Sequence, residues 1–301
     1  MIIKPNHIAL EASTACQLKC PSCSNAKGLI AKTLGTGFLK FNSFTKLINE
    51  NPWIRSIELS NYGEIFLNPD LLKIIKYGYK KKLILLANNG VNLNTVSDDI
   101  LEALVKYKFI SMTCSIDGVT QKSYSIYRRK GNFEKVINNI KKLISYKNKY
   151  NSEFPHLRWQ FIIFGHNIQE LQAARQMAND LNMEFVLKSS WDETFSPVKK
   201  KDLTKIKSRR KRFFKWRREN ICRMLWEGPQ INFDGRVLGC CRNVKSDFGN
   251  AFTDGLINCL NNERINYARY MLLGKKEGRD DIPCTTCNIY IRRRQKADWL
   301  Y

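Results

Sequence analysis

From residue 7 to about 190 the sequence repeats one unit: a short apolar run rich in β-branched residues, a few turn residues, then an amphipathic stretch. Runs 8–11, 56–59, 83–86, 110–115, 158–164 and 184–187 read as strands. Stretches 69–81, 97–107, 133–146 and 168–181 read as helices between them. In the third of these, Phe133, Val136, Ile137, Ile140, Leu143 and Ile144 fall on one helical face. Strands that alternate with helices pair in parallel through right-handed crossovers. Six such units predict an α/β fold, an open (β/α)6 partial barrel of the TIM type rather than a flat doubly wound sheet.

The repeat stops after Leu187. Residues 1–190 are expected to form the core. Residues 191–218 form a basic linker or helix, and 219–301 a small, glycine-punctuated, cysteine-rich extension. Of a net charge of +24, residues 199–218 ("KKKDLTKIKSRRKRFFKWRR") carry +11, from 12 Lys or Arg and one Asp. Such a block is a solvated face or meets an anionic partner. Phe213, Phe214 and Trp216 interleave with the charges in the manner of a nucleic-acid groove, but an amphipathic helix covering the domain junction is the simpler reading. No apolar run reaches the roughly 18 residues of a membrane span. The N-terminus "MIIKPNHIALEAS" lacks the layout of a signal peptide. A cytoplasmic chain is expected, and there its ten cysteines more often hold metal than form disulfides.

"STACQLKCPSC" (13–23) places Cys16, Cys20 and Cys23 on the loop after the first strand, at the carboxyl end of the sheet, where α/β proteins carry their chemistry. Thiolates favour zinc or iron–sulfur clusters. Zinc needs a fourth protein ligand here, and His7 belongs to the strand rather than to the loop. A 4Fe–4S cluster held by three cysteines leaves its fourth iron open to a small molecule.

Three further strand ends share this rim. In "SNYGEIF" (60–66), Gly63 permits close backbone approach, and Tyr62-Gly63-Glu64 offers carbonyl and carboxylate acceptors for an ammonium group. "ANNG" (87–90) closes the third strand with amides, Asn89 among them, and a glycine. "TCSIDG" (113–118) ends the fourth with Ser115 and Asp117, suited to accept from ribose hydroxyls.

With these motifs in place the chain resembles the radical S-adenosylmethionine (SAM) enzymes over nearly its whole length. In that family C-x3-C-x2-C holds a 4Fe–4S cluster, and the amino and carboxylate groups of SAM chelate the open iron. The resemblance implies that Cys16, Cys20 and Cys23 bind the cluster. Tyr62-Gly63-Glu64 stands at the family's Gly-Gly-Glu position, which receives the SAM amino group. Ser115 and Asp117 lie on the ribose-contacting strand, Arg128 in "YSIYRRKGNFEKVINNIKKL" (124–143) is the candidate for the SAM carboxylate, and "FIIFGHNIQE" (161–170) matches the fifth strand and its turn. Two departures stand out. Ser22 precedes the third cysteine where the family often has an aromatic residue, and Tyr62 replaces the first Gly of Gly-Gly-Glu.

A second set reads Cys222-x12-Gly235-x4-Cys240, then Cys284-x2-Cys287. Four cysteines in two pairs close a site around one metal centre, and a structural zinc ribbon fits the spacing as well. "INFDGRVLGCC" (231–241) reads as a hairpin with an Asp-Gly turn, which brings Cys222 and Cys240 together. Cys241 adjoins the set and is the alternative to Cys240. Cys114 and Cys259 fall in apolar patterns and read as core residues. Beside a radical SAM core the set resembles a SPASM domain in its shortened twitch form, with one auxiliary 4Fe–4S cluster, since no cysteine follows Cys287. This is the layout of the aminocyclitol-oxidising deoxy-scyllo-inosamine dehydrogenase.

The resemblance implies an oxidoreductase. Reductive cleavage of SAM yields a 5′-deoxyadenosyl radical, which abstracts a hydrogen from a sugar, a cyclitol or a related metabolite, and the auxiliary cluster accepts an electron. The electron donor would be a flavodoxin or ferredoxin. Competing readings are epimerisation or crosslinking of a ribosomally made peptide, RNA modification, and a zinc-binding interaction module. The peptide reading is lowered because the cysteine trio begins at residue 16, leaving no room for an N-terminal peptide-binding domain.

Overall fold

The structure is a computed structural model that describes residues 2–199 and 222–296. The basic block, residue 199 aside, and the junction near 215–218 lie outside the described residues.

Seven parallel strands form one sheet in the order β6-β5-β4-β3-β2-β1-β7, an open partial barrel with helices packed against it. The strands are β1 (His7–Leu10), β2 (Ser56–Glu58), β3 (Ile84–Val91), β4 (Ser111–Ser115), β5 (His156–Ile163), β6 (Glu184–Ser189) and β7 (Gln230–Ile231). The crossovers carry α1 (Leu29–Leu34) and α2 (Phe41–Glu50), then α3 (Leu71–Lys80) and α4 (Asp98–Lys106). After β4 come α5 (Gln121–Tyr127) and α6 (Phe133–Lys149), and after β5 comes α7 (Leu171–Asp180). The C-terminal part adds α8 (Met224–Glu227), α9 (Leu256–Asn261), α10 (Glu263–Leu272) and α11 (Asn288–Lys296).

The reasons are local. A parallel strand covered on both faces must be apolar or internally paired along its length, and all five residues of β4 are buried. Helix α6 buries Val136, Ile137, Ile140 and Leu143, the face its spacing predicts. Helix α5 starts at a capping box. Thr120 Oγ1 accepts from Ser123 N at 3.1 Å, and the Ser123 hydroxyl accepts from Thr120 N at 3.3 Å. Cys114 and Cys259 lie in the core, as expected.

Three features depart from the sequence expectation. Helices α1 and α2 occupy the first crossover, where no helix was assigned. "ANNG" does not close β3: the strand runs on to Val91 through a bulge, with Ala87 opposite Met112 and Val91 opposite Cys114. Four steps on β3 thus face two on β4, and Asn88, Asn89 and Gly90 are thrown out of the ladder. The C-terminal part is not confined to a separate extension either. Its β7 pairs with β1, with Ala9 opposite Gln230 and Leu10 opposite Ile231. Two residues are too few to show a period of two, so β7 was invisible in the sequence.

The expected hairpin follows β7. Ile231 bridges Val237, Asn232 N donates to Arg236 O at 2.9 Å, and Gly235 supplies the left-handed turn residue at φ 94°.

Candidate functional site

The carboxyl ends of β1 to β4 are tied together by buried acids. Glu11 follows β1 and accepts from Tyr62 N, 3.1 Å to each oxygen, and from Gly63 N at 3.3 Å. Glu58 ends β2 and accepts from Asn88 N, 2.9 Å to each oxygen, and from the Ser60 hydroxyl at 2.6 Å. Glu64 accepts from Asn92 N at 2.7 Å and Phe66 N at 3.2 Å. Asp117 follows β4 and accepts from Ile162 N and Arg128 Nε, both at 2.6 Å. Each acid thus holds the backbone of a neighbouring strand end, so the rim is one hydrogen-bonded body. Burial pushes the Glu11 carboxyl up to about 8 and that of Glu64 to about 7, despite the amides they accept from. Asp117 also rises through burial, opposed by the Arg128 charge.

Above this rim lies a cavity of about 330 Å³. Cys16, Cys20 and Cys23 line it, together with Tyr62, Gly63, Glu64, Asn89, Ser115 and Arg128. Asp117 does not line it. It is fully buried behind Arg128, and its two oxygens accept from Ile162 N and Arg128 Nε rather than face the cavity where a ribose contact was expected. Arg128 Nη1 in turn donates to Cys20 Sγ at 3.7 Å.

The cysteine loop turns tightly, with Cys23 N donating to Cys20 O at 3.0 Å, and Lys19 N ties it to Arg129 O at 3.0 Å. Leu18, Tyr127, Phe164 and Phe195 pack around the thiols as an apolar wall on one side of them. Burial, with the nearby Glu64, pushes the Cys16 thiol up to about 12, and burial also raises Cys20. Gly63 is required by close approach. Its amide neighbour Glu64 N donates to Ala15 O at 2.8 Å, and a Cβ on Gly63 would strike the carbonyl oxygens of Ser13 and Ala15.

Several lining residues carried no signal that the sequence reading used: Asn92, Gln160 and the exposed Trp191 at the mouth. Gln160 sits in β5 opposite Ser115, 5% exposed, and its Oε1 has no partner among the described residues. A glutamine inside the buried run "RWQFII" was the available clue, as was Glu11 at the end of the apolar "HIAL".

In the C-terminal part, Cys284 has Cys222, Cys240 and Cys287 as neighbours. Burial raises its thiol first and those three add to the shift. Cys241 is absent from that group. It shares a hydrogen bond with Cys240, which raises Cys240 together with burial. The Cys240–Asn243 turn touches the core directly: Asn61 Nδ2 donates to Cys241 O at 3.0 Å, and the Tyr62 hydroxyl donates to Asn243 O at 3.1 Å. Among the described residues no three His, Cys, Asp or Glu side chains converge on a single-ion site. A cubane spreads its thiolates over separate irons and needs no such convergence.

The Radical SAM superfamily pattern matches residues 10–177, more than half of the chain, and spans the cysteine loop and the whole rim described above. The chain belongs to the radical SAM superfamily. A second pattern, SPASM, an iron–sulfur cluster-binding domain, matches residues 222–288. No match to a curated protein was found.

Among solved structures the chain is similar to Streptococcus suis SuiB bound to its precursor peptide SuiA, at TM-score 0.68 and 14% identity, covering 96% of this chain and 71% of that one. It is similar to anSMEcpe with bound AdoMet (TM-score 0.62, 14% identity, 97% and 96% covered). It is also similar to BtrN in complex with AdoMet and 2-DOIA (TM-score 0.54, 14% identity, 96% and 94% covered).

This radical SAM chain therefore has a 4Fe–4S cluster, SAM and an auxiliary iron–sulfur cluster as its cofactors. The residues present fit them. Three thiols and no nitrogen ligand face one cavity, the glycine beside them admits no side chain, and a buried amide oxygen waits without a partner. Among the described residues no helix is long and apolar enough to cross a membrane.

Proposed function

We propose that this radical SAM enzyme dehydrogenates a small polyhydroxylated substrate of the sugar or cyclitol type. When bound, the cofactors supply a 5′-deoxyadenosyl radical that takes one hydrogen atom from the substrate and an acceptor for the one electron that follows, a proton leaving as well. Cys16, Cys20 and Cys23 hold the first cluster. The Tyr62-Gly63-Glu64 turn receives the SAM amino group, Arg128 its carboxylate, and Asn89 and Ser115 its ribose. Asp117 keeps Arg128 charged and aimed, since a buried guanidinium needs a paired carboxylate. The apolar wall of Leu18, Tyr127, Phe164 and Phe195 excludes water, which protects a radical. Cys222, Cys240, Cys284 and Cys287 hold the auxiliary cluster.

The observation that carries the reading is the contact of the Cys240–Asn243 turn with Asn61 and Tyr62. That contact supports an auxiliary site beside the cavity, where an electron acceptor for the substrate is useful. BtrN, whose chain is covered to 94%, is seen in complex with AdoMet and 2-DOIA. A one-electron donor of the flavodoxin or ferredoxin type would feed the first cluster.

Peptide modification is the second reading. SuiB is seen with a precursor peptide and anSMEcpe with the Cp18Cys peptide. Trp191, 67% exposed at the cavity mouth, offers an aromatic face to a chain leaving the cavity. The test is reduction of the anaerobically reconstituted protein with dithionite in the presence of SAM and panels of aminocyclitols, sugars and short peptides. Release of 5′-deoxyadenosine is followed beside the substrate mass. Loss of two mass units from a cyclitol or sugar supports the first reading, and change in a peptide alone overturns it. Replacing Cys284 and Cys287 with Ala is expected to leave SAM cleavage and stop the oxidation. Equal loss of both activities would remove the auxiliary cluster from the reaction.

A further inference from the structure

Tyr62 stands where the resemblance has a glycine, so a side chain is present at a place where the family pattern has none. Its backbone leaves the ring little choice of direction. Its N–H donates to both oxygens of Glu11 at 3.1 Å, and its carbonyl accepts from Asn25 Nδ2 at 2.9 Å. The half-buried ring lines the cavity and packs in a small cluster with Ile30, Leu34, Leu238 and Val244. Two of those residues come from the first crossover and two from the strands and turns of the C-terminal part.

The phenol then reaches the cysteine turn, donating to Asn243 O at 3.1 Å. Asn243 is the residue that closes that turn. Its Nδ2 donates to Leu238 O at 2.8 Å and Ser246 O at 2.6 Å, and its N–H to Cys240 O at 3.1 Å. Asn61, beside Tyr62, donates to Cys241 O at 3.0 Å. On its far side the turn continues through Lys245 Nζ, 3.1 Å from the Thr286 hydroxyl, next to Cys287. Side chain to backbone bonds therefore lead from the cavity wall to the Cys240 turn, and the exposed side-chain contact of Lys245 with Thr286 links that turn to the Cys284–Cys287 half of the set.

We propose that Tyr62, with Asn61, is a positioning residue that clamps the Cys240 turn onto the wall of the SAM cavity, so that occupancy of the cavity is transmitted to the auxiliary centre. The inference rests on the assignment of Cys240 to that centre and on nothing about the substrate. A ligand that presses on the ring favours one placement of the phenol, and the turn follows because the part-buried hydroxyl has its partner there.

The test uses the oxidised, fully loaded protein, in which SAM binds and is not cleaved. Amide hydrogen exchange is measured over residues 238–246 with and without SAM, in the parent and in Tyr62→Phe, which keeps the ring and removes only the hydroxyl. In the parent, SAM is expected to slow exchange there by about tenfold, on the scale of one net hydrogen bond. In Tyr62→Phe the slowing should fall below about twofold.

A second readout is the midpoint potential of the auxiliary cluster, followed by EPR with and without S-adenosylhomocysteine. The ligand should shift it in the parent and not in the variant. Asn61→Ala carries the same expectation where Tyr62→Phe loads iron poorly. A turn that ignores SAM in the parent, or responds equally in both proteins, overturns the proposal. Cys240→Ala checks the assignment beneath it: undiminished iron would remove Cys240 from the centre, whereas the exchange result would still report on the clamp.

Discussion

Gly63 shows how far a single atom governs this site. With a Cβ in place the turn must retreat from the carbonyls of Ser13 and Ala15, and Glu64 N would lose its 2.8 Å bond to Ala15 O. Gly63→Ala is expected to cost about 1–3 kcal/mol of stability, the range for a clash that backbone shifts relieve, and to weaken SAM binding. Thermal unfolding of the cluster-free protein and a SAM titration of the loaded one check the two parts.

Glu11 sets a pH dependence. Its folded value of about 8 lies above its ordinary 4.5, so between these limits the folded chain holds a proton that the unfolded chain has released. Stability must then fall as pH rises from about 4.5 to 8, by an amount on the order of a few kcal/mol. Glu11→Gln keeps an acceptor for Tyr62 N and should flatten the slope. The urea midpoints of both cluster-free proteins at pH 5 and pH 8 decide, and equal slopes would show that Glu11 is not the source. The cysteines were legible because their spacing is local. Glu11, Gln160 and the burial of Asp117 were not, because each takes its meaning from a neighbouring strand that the sequence does not place beside it.

At the scale of elements, the six repeated strands were readable from their apolar runs, and the structure moves most of their ends by a residue or two. What escaped was set by pairing rather than by pattern. The β3 bulge exists because Glu58 captures Asn88 N and Ser60 captures Asn89, through its hydroxyl with Asn89 N at 3.1 Å and through its carbonyl with Asn89 Nδ2 at 2.7 Å. These partners lie almost thirty residues upstream. The same bulge brings Asn89 and Gly90 to the cavity. Helix α2 buries Phe44, Leu47 and Ile48 on one face, yet it lies far from the turn that ends β1, so the strand–turn–helix unit does not point to it.

The hairpin after β7 was readable from Asp234-Gly235, and it sets a test of its own. Gly235 has φ 94°, and a side chain there would meet Asn250 and Phe252. Gly235→Ala should cost more than the roughly 1 kcal/mol of a left-handed residue alone, because strain and overlap add. Since the hairpin carries Cys240, iron in the second set should fall while iron in the first set stays. Full iron loading in Gly235→Ala would show that the turn tolerates the change.

Across the whole molecule the two cysteine sets are joined by more than Tyr62. β7 is the edge strand of the sheet, and it and the residue before it hold the strand from which the first cysteine loop springs: Ala9 N donates to Pro229 O at 3.1 Å and Glu11 N to Ile231 O at 2.9 Å. In sequence α8, β7 and the hairpin lie between Cys222 and Cys240, two members of the proposed auxiliary set. Metal that binds the folded arrangement and not the unfolded chain stabilises what it holds, and that stabilisation extends to whatever folds with it. The reconstituted protein should carry about eight iron and eight sulfide, four of each per cubane. Replacing Cys16, Cys20 and Cys23 with Ala should leave about half and change exchange at β7 little.

Replacing Cys284 and Cys287 should also leave about half, but here the amides of Ala9 and Glu11 should exchange faster, because their acceptors belong to the segment that has lost its metal. The asymmetry follows from the connection. The first set sits on a loop beyond the end of β1, so its loss should free the loop, whereas on the proposed assignment the second set anchors a strand of the sheet. Hydrogen exchange resolved to residues 7–12 in the two variants measures it, and equal exchange in both would show that β7 holds its place on β1 without help from the auxiliary centre.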